Sequence, residues 1–340
     1  MTTAALRLTR AQILGFRRGA GALDERLPRG KRSLRRAAWA GLQDSVPRAA
    51  LLSIHARVEA TKPSTWEDPS LVQLWGPRHS AYVVAAVDLP YFSLGRLPDD
   101  ARGRELAYDL AERVRKHLRG GEMTYSRAGR DLGEPPNRLR YAAPTGTVVI
   151  RWEGSGQPTI RSVPPPEIDP GEARLELARR YLHVLGPATP QAFARWAGIK
   201  PRGGAAAFEA LNTSLTPVRT PVGGASILAE DEAAFREAER SRAPARILPS
   251  GDAYLLVDDR ALLVADPEQR RSLWPPATVW PGGVMAAGEL VGTWRRAKAT
   301  MTIEPWRDLS RAARAAVDAE AASLPIPGVG DRIVVRWADR

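Results

Sequence analysis

The side chains able to do chemistry are few and scattered. Four histidines, His55, His79, His117 and His183, stand far apart, and the chain has no cysteine. A metal site would have to be mostly carboxylate, and disulfides, zinc fingers and cysteine-held iron–sulfur clusters are excluded. Neither GxxxxGK[ST] nor GxGxxG occurs, so no phosphate-binding loop of those types is expected. No Ser–His–Asp order can be argued. Pro327-Gly328-Val329-Gly330-Asp331 mimics the hairpin of helix-hairpin-helix DNA-repair proteins, but the strand-like IVVRW follows it, so it reads as an ordinary glycine turn. Arginine, by contrast, is abundant. Nearly all of the 50 basic residues are Arg, and the formal net charge is +12. The planar guanidinium fork binds phosphate oxygens bidentately, which favours a polyanionic partner over an acidic small molecule. The same enrichment in Ala, Arg, Gly and Pro is also what a GC-rich genome produces.

The elements that must carry these arginines are clearest between Tyr181 and Ile199, YLHVLGPATPQAFARWAGI. A helix is expected to end at Leu185, with Gly186 as a left-handed cap and Pro187 barring continuation. Thr189 then caps a second helix with Pro190 in its first turn. Phe193, Trp196 and Ala197 share one apolar face, and Gly198 closes the helix. Gly203 to Leu211 makes a third helix, and Thr216 to Val222 an extended run. Three short helices followed by a strand are what a winged helix needs, and its third helix lies along DNA. A plain helical hairpin buried in a core is the alternative.

Toward the N-terminus, Thr9 caps a helix from Arg10 to Gly19 and Ser33 caps a second through about Leu42. Pro47 opens a third, whose Ala50, Leu51, Ile54 and Val58 form the buried face, with His55 and Arg57 off it. Leu71 to Gly76 reads as a short helix and Arg78 to Val87 as a strand. A second unit contains the amphipathic Glu105 to Leu118, a helix capped by Thr124, another over Asn137 to Ala143, and a hairpin, TVVIRW and TIRSV around a Gly-Ser-Gly turn. On these strands Arg151 and Arg161 either reach phosphates or form a solvated edge that discourages aggregation. PPPEIDPG, residues 164 to 171, is the clearest linker.

After a charged helix, Asp231 to Arg242, the chain turns to short runs split by Gly and Pro, read as strands of a small barrel or meander with Trp294 in its core. Leu309 to Leu324 is expected as a helix and Ile333 to Trp337 as a last strand. The organisation expected is α+β: three tandem winged-helix units (1–98, 99–170, 171–240) followed by a β-rich barrel-like domain (241–340). With 340 residues, 44% of them hydrophobic, the chain can bury cores of that number. No apolar run approaches the length of a membrane span, and the N-terminus is no signal peptide. A cytoplasmic, nucleoid-associated monomer with double-stranded DNA as partner, and with no membrane or metal partner, is the expectation.

Five stretches resemble the winged-helix DNA glycosylase family typified by AlkZ and YcaQ: LLSIHARVEA; LVQLWGPRHSAYVVAAVDLP; ARRYLHVLGPATPQAFARWAGI; RILPSGDAYLLVDDRALLVADPEQRRSLW; and AAGELVGTWRR with the Glu-Pro-Trp after it. They occur in family order and sample nearly the whole length. The resemblance implies three winged helices and a C-terminal β-barrel wrapped around DNA. It implies excision of bulky alkylated purines and unhooking of interstrand crosslinks, with no cofactor. Family members carry Gln-x-Gln or Gln-x-Asp, residues that hold the attacking water. The resemblance places that motif at His55-Ala56-Arg57, and the family's Arg-Gly-Thr-x-His run at Arg78-His79-Ser80-Ala81-Tyr82. His55 and Arg57 are therefore the expected catalytic residues, and Arg78, Arg151, Arg161, Arg195, Arg202, Arg295 and Arg296 the expected DNA contacts.

The chemistry constrains that assignment. N-glycosidic cleavage passes through a cationic sugar, so a guanidinium at the reacting carbon is unfavourable unless phosphate neutralises it. His55 has the right reference pKa for a general base. One residue apart on a helix, His55 and Arg57 point about 200° apart. The glycosylase reading thus needs His55 facing a cleft and Arg57 at its edge as a phosphate clamp. The alternative is an arginine-rich DNA-contacting surface without catalysis.

Overall fold

The computed structural model describes residues 6–238, 243–329 and 333–338. Its first helix, Arg10–Ala20, starts at a capping box: Thr9 Oγ1 accepts from the Gln12 amide while the Gln12 side chain accepts from the Thr9 N–H. The strand before it, Leu6–Arg7, runs parallel to Leu215–Thr220, and Phe16 stacks on Phe235 at 3.7 Å. The chain's beginning therefore packs on elements some two hundred residues later.

A six-stranded antiparallel sheet dominates the N-terminal half, in the order Leu42–Gln43, Ala81–Ala85, Leu71–Trp75, Val148–Arg151, Thr159–Ser162, Glu122–Thr124. Segments expected in separate units meet here: the hairpin Leu71–Trp75 and Ala81–Ala85 joins the expected hairpin Val148–Arg151 and Thr159–Ser162, with Gln73 opposite Ile150. Three local expectations change. Leu71–Trp75 is a strand, because the Gly76–Ser80 turn folds it onto Ala81–Ala85; five residues cannot carry a helical period of their own. The second helix spans Lys31–Ala37 with Gly30, not Ser33, at its N-cap, and Leu42–Gln43 is extended. The third helix, Ala49–Arg57, is buried on every side, so His55 and Arg57 are buried too.

From residue 170 the helices are Pro170–Leu185, Pro190–Ala197 and Pro201–Ala210, followed by the antiparallel hairpin Leu215–Thr220 and Gly223–Leu228. Thr189 caps as expected, accepting from the Ala192 amide at 3.1 Å. Phe193, Trp196 and Ala197 are buried against Tyr181. Gly186, expected left-handed, is extended at φ −64.

In the C-terminal region only Arg246–Leu248 of the early runs is a strand; Arg260–Leu263 and Pro267–Leu273 are helices, the second capped by Asp266. The expected barrel is an open five-stranded sheet: Arg246–Leu248, Gly282–Ala286, Glu289–Ala297, Thr300–Pro305, Val334–Trp337. The last pair is parallel, which requires a crossover, and the helix Arg311–Ala322 supplies it. That crossover sets the final strand beside Thr300–Pro305 instead of closing the sheet on Arg246–Leu248. Trp294 is in the core of this unit, donating its indole N–H to Leu248 O at 2.7 Å and lying where a Cβ on Gly282 would be. The Pro327–Asp331 turn and the Asp231–Arg242 helix lie partly outside the described residues.

Candidate functional site

His55 and Arg57 leave their helix in different directions, and each ends in protein. The His55 ring is 7% exposed, with Nε2 at 3.0 Å from Ser323 Oγ beyond the C-terminal helix, and its carbonyl accepts from Arg26 Nε at 2.6 Å. Burial, then the charges of Arg26 and Arg246, lower its pKa to about 4, so the ring is neutral near pH 7. Arg57 does not reach an edge. Both its terminal nitrogens donate to the Asp252 carboxylate at 2.7 Å, and Nη1 also donates to Ser53 O at 2.9 Å. Ser53 Oγ donates to the same carboxylate at 2.6 Å. Burial works to raise the Asp252 pKa, but the Arg57 charge and these hydrogen bonds hold it below the usual carboxylate value. The buried pair thus pins the Pro249–Asp252 turn to the helix Ala49–Arg57.

That turn leads to a second polar group, which the sequence reading passed over. Gly251, at φ +75, sits against the Gln43 side chain so closely that a Cβ there would be 3.1 Å from Gln43 Cδ. Gln43 ends the strand Leu42–Gln43, and Asp44 N continues the ladder by donating to Ala81 O at 2.8 Å. Extended backbone alternates its side chains, so Gln43 and Ser45 face one way and Asp44 the other. Gln43 Nε2 donates to Ser45 Oγ at 3.2 Å; Gln43 is half-buried and Ser45 exposed. Asp44 is buried behind them, accepting from Ala50 N at 3.0 Å and Gln73 Nε2 at 2.7 Å. Burial outweighs these donors and raises the Asp44 pKa to about 6. Gly41 completes the strand's placement: its φ is +72, and a Cβ there would press on Phe92 and Tyr82.

Arg78 closes the group from the other side. It is exposed, in a left-handed backbone at φ 54, and its Nη2 donates to Gln43 Oε1 at 3.1 Å. Gly198 lies against the Arg78 backbone, where any Cβ would collide with it. Arg260 packs over Trp274 and Trp280 at 4.8 and 4.9 Å; burial, then the charge of Arg78, lowers its pKa. Arg195 pairs with Asp258 at 2.5 Å. Tyr82, where the family run has histidine, is fully buried, and burial raises its pKa.

A model of a family described as DNA glycosylase AlkZ-like matches residues 36–325. The chain belongs to that family. The AlkZ-like match opens seven residues ahead of Gln43, so the Gln-x-Ser triplet lies inside it. Among solved structures, the chain is similar to Streptomyces sahachiroi DNA glycosylase AlkZ, at 21% identity over 98% of this chain and 100% of that one, with a TM-score of 0.79. At that identity the likeness speaks for a shared mixed α+β fold. None of the curated proteins searched matches.

The other expected DNA contacts are spread over the surface. Arg151 and Arg161 share a concave face with Trp66, on which Arg151 stacks at 4.7 Å. Arg48 stacks on the same indole at 3.5 Å. Arg151 also pairs with Glu153 and Glu67, at 3.1 and 3.5 Å. Arg202 lies near Asp99 and Asp100, Arg295 donates to Val279 O at 3.1 Å, and Arg296 donates to Lys298 O. Of the expected site residues, the structure brings Arg78 to Gln43 and joins Arg151 with Arg161; it keeps His55 and Arg57 apart from both groups. Among the described residues no cluster of three or more acidic or histidine side chains could hold a metal, and no helix is long and apolar enough to cross a membrane. A leading Gln was the available signal for Gln43: the family motif starts with one, and Gln43 stands ahead of the Arg78 run in the chain.

Proposed function

We propose that this chain is a DNA glycosylase that removes N-alkylated purines, including those linking two strands, and that Gln43 and Ser45 form its water-holding pair in place of His55 and Arg57. The carrying observation is the convergence of the Gln43 amide, the Ser45 hydroxyl and the Arg78 guanidinium at one accessible point in an AlkZ-like chain. An alkylated purine carries positive charge and departs readily, so the protein's task is to place water at the sugar carbon and tolerate the cationic sugar. An amide and a hydroxyl can hold water without adding charge. Arg78 is tied to Gln43 and oriented toward its oxygen; a backbone phosphate neutralises it when DNA is bound. Asp44 stays behind the strand and supports the helix start. The helix-and-hairpin units at 6–98, 99–170 and 171–238 act as winged helices that grip the duplex, with Arg151 and Arg161 among the phosphate contacts.

The test is direct: incubate the protein with a duplex containing N7-methylguanine and measure free base by chromatography. The wild type should release it. Gln43→Ala should release it roughly 100-fold more slowly, the size of losing one transition-state hydrogen-bonding group, with DNA affinity within about twofold of wild type. Equal release by both proteins would sink the assignment of Gln43.

One observation favours a second reading, a DNA-binding protein without catalysis. Ser45 stands where family members have Gln or Asp, and its side chain is shorter. If wild type releases no base but Ser45→Gln does, the site is glycosylase-shaped and this chain has given up the chemistry.

A further inference from the structure

Next to Arg78 the backbone stays left-handed for one more residue, His79 at φ 56, and the His79 ring lines a separate cavity to which Gln43 does not contribute. The cavity is about 510 Å³, within the range of small-molecule pockets. It lies between the helix Ala101–Leu118, the turn-rich segment Pro136–Thr145 and the Gly198–Lys200 link. Its walls are mostly apolar. Two of them, Leu106 and Tyr141, are 51% and 56% exposed, unusual for large hydrophobic side chains facing one hollow. The His79 ring meets Tyr141 edge to face at 4.9 Å, and its Nδ1 is buried without a hydrogen-bond partner. The Arg140 backbone also lies against this ring; burial, then the charge of Arg96, lowers the His79 pKa to about 4, so the ring lining the cavity is neutral near pH 7. Arg96 closes the floor; its guanidinium is spent on the carbonyls of Ala197 and Trp75, both at 2.9 Å, so it shapes the cavity without offering a free charge.

We propose that this cavity is a binding site for a planar aromatic group with one polar edge, its faces packed by Tyr141 and Leu106 and its edge bonded to His79. Such a group has two sources: a free aromatic compound, or the substituent of an alkylated base held at Gln43. The second source rests on the glycosylase reading; the first does not. Gly198 ties the two places together, because it touches the Arg78 backbone on one side and lines the cavity on the other.

Quinoline, planar with a single ring nitrogen, is the probe for the free ligand. Titrated into the protein and followed by NMR shift changes, it should bind with a Kd of about 0.1–1 mM, ordinary for ten heavy atoms. Leu106→Glu and Tyr141→Ala, both at exposed positions, should each weaken it at least tenfold. His79→Phe, which keeps the packing, should weaken it about fivefold, the loss of one hydrogen bond. Duplexes carrying N7-benzylguanine or N7-methylguanine are the second arm. Faster release of the benzylated base, with the preference erased by Leu106→Glu, assigns the cavity to the adduct. Quinoline binding with no such preference assigns it to a free ligand. Quinoline binding with no base released from either duplex keeps the aromatic site and overturns the glycosylase reading instead. No quinoline binding, or binding indifferent to both Leu106→Glu and Tyr141→Ala, overturns this inference while leaving the Gln43 reading intact.

Discussion

The strand Leu42–Gln43 and the helix Ala49–Arg57 are near neighbours in the chain, yet they treat their polar side chains in opposite ways. On the helix, Ser53, His55 and Arg57 are all turned into protein and consumed by it: Asp252 takes Ser53 and Arg57, and Ser323 takes His55. Around the strand only Asp44 is consumed, while Gln43 bonds to Ser45 on one side and to the exposed Arg78 on the other. A helix surrounded by neighbours has no free face for chemistry. A short edge strand has one by construction, because every second side chain faces out. The helix thus holds the C-terminal unit in place, and the strand presents the groups able to act.

Removing the helix's largest anchor tests this contrast most severely. Arg57→Ala leaves the Asp252 carboxylate buried without its cation, so stability should fall by about 3–5 kcal/mol, read from denaturant unfolding. Replacing the pair together, Arg57→Met with Asp252→Leu, should recover most of that loss. A loss below about 1 kcal/mol in the single variant would mean that the pair holds nothing.

Acid titration separates the two regions next. Asp44 has its folded pKa raised to about 6, so its contribution is fully present below the unfolded value near 3.8 and is lost as pH rises through 6. His55 has its folded pKa lowered to about 4, so its contribution is present above the unfolded value near 6.5 and is lost as pH falls through 4. Each shift corresponds to about 3 kcal/mol. Relative to wild type, Asp44→Asn should therefore gain stability between pH 4 and 6, and His55→Leu should gain it as pH drops from 6.5 to 4. Parallel pH–stability curves for wild type and either variant would remove that residue from the account.

Smaller effects are expected at the DNA-contacting arginines, divided along the same line of free against consumed. Arg161→Ala should reduce the slope of log affinity against log salt by about one, as for one lost phosphate contact. Arg151→Ala should change it less, because Glu153 and Glu67 already lie against that guanidinium. Equal slopes for both variants would erase the distinction. The smallest effect is a null one: His55→Ala should release base at the wild-type rate per folded molecule. A rate loss comparable to that of Gln43→Ala would return His55 to the chemistry.

Sequence alone determined a good deal about this protein. Thr9 and Thr189 cap where their types require, the proline-led start of Pro190–Ala197 was legible, and so were the hairpin around Gly154-Ser155-Gly156 and the core place of Trp294. These are local matters, settled within a few residues by capping, ring geometry and turn chemistry. The motif stretches also carried the family. Tertiary structure decided which polar residues meet solvent, whether the last strand closes a barrel, and that Leu71–Trp75 pairs in a sheet. Arg57 meets a carboxylate 195 residues away, and nothing within its own helix announces it. Burial depends on everything packed around a site, so the residues best placed for chemistry were legible as types, and their availability only as a fold.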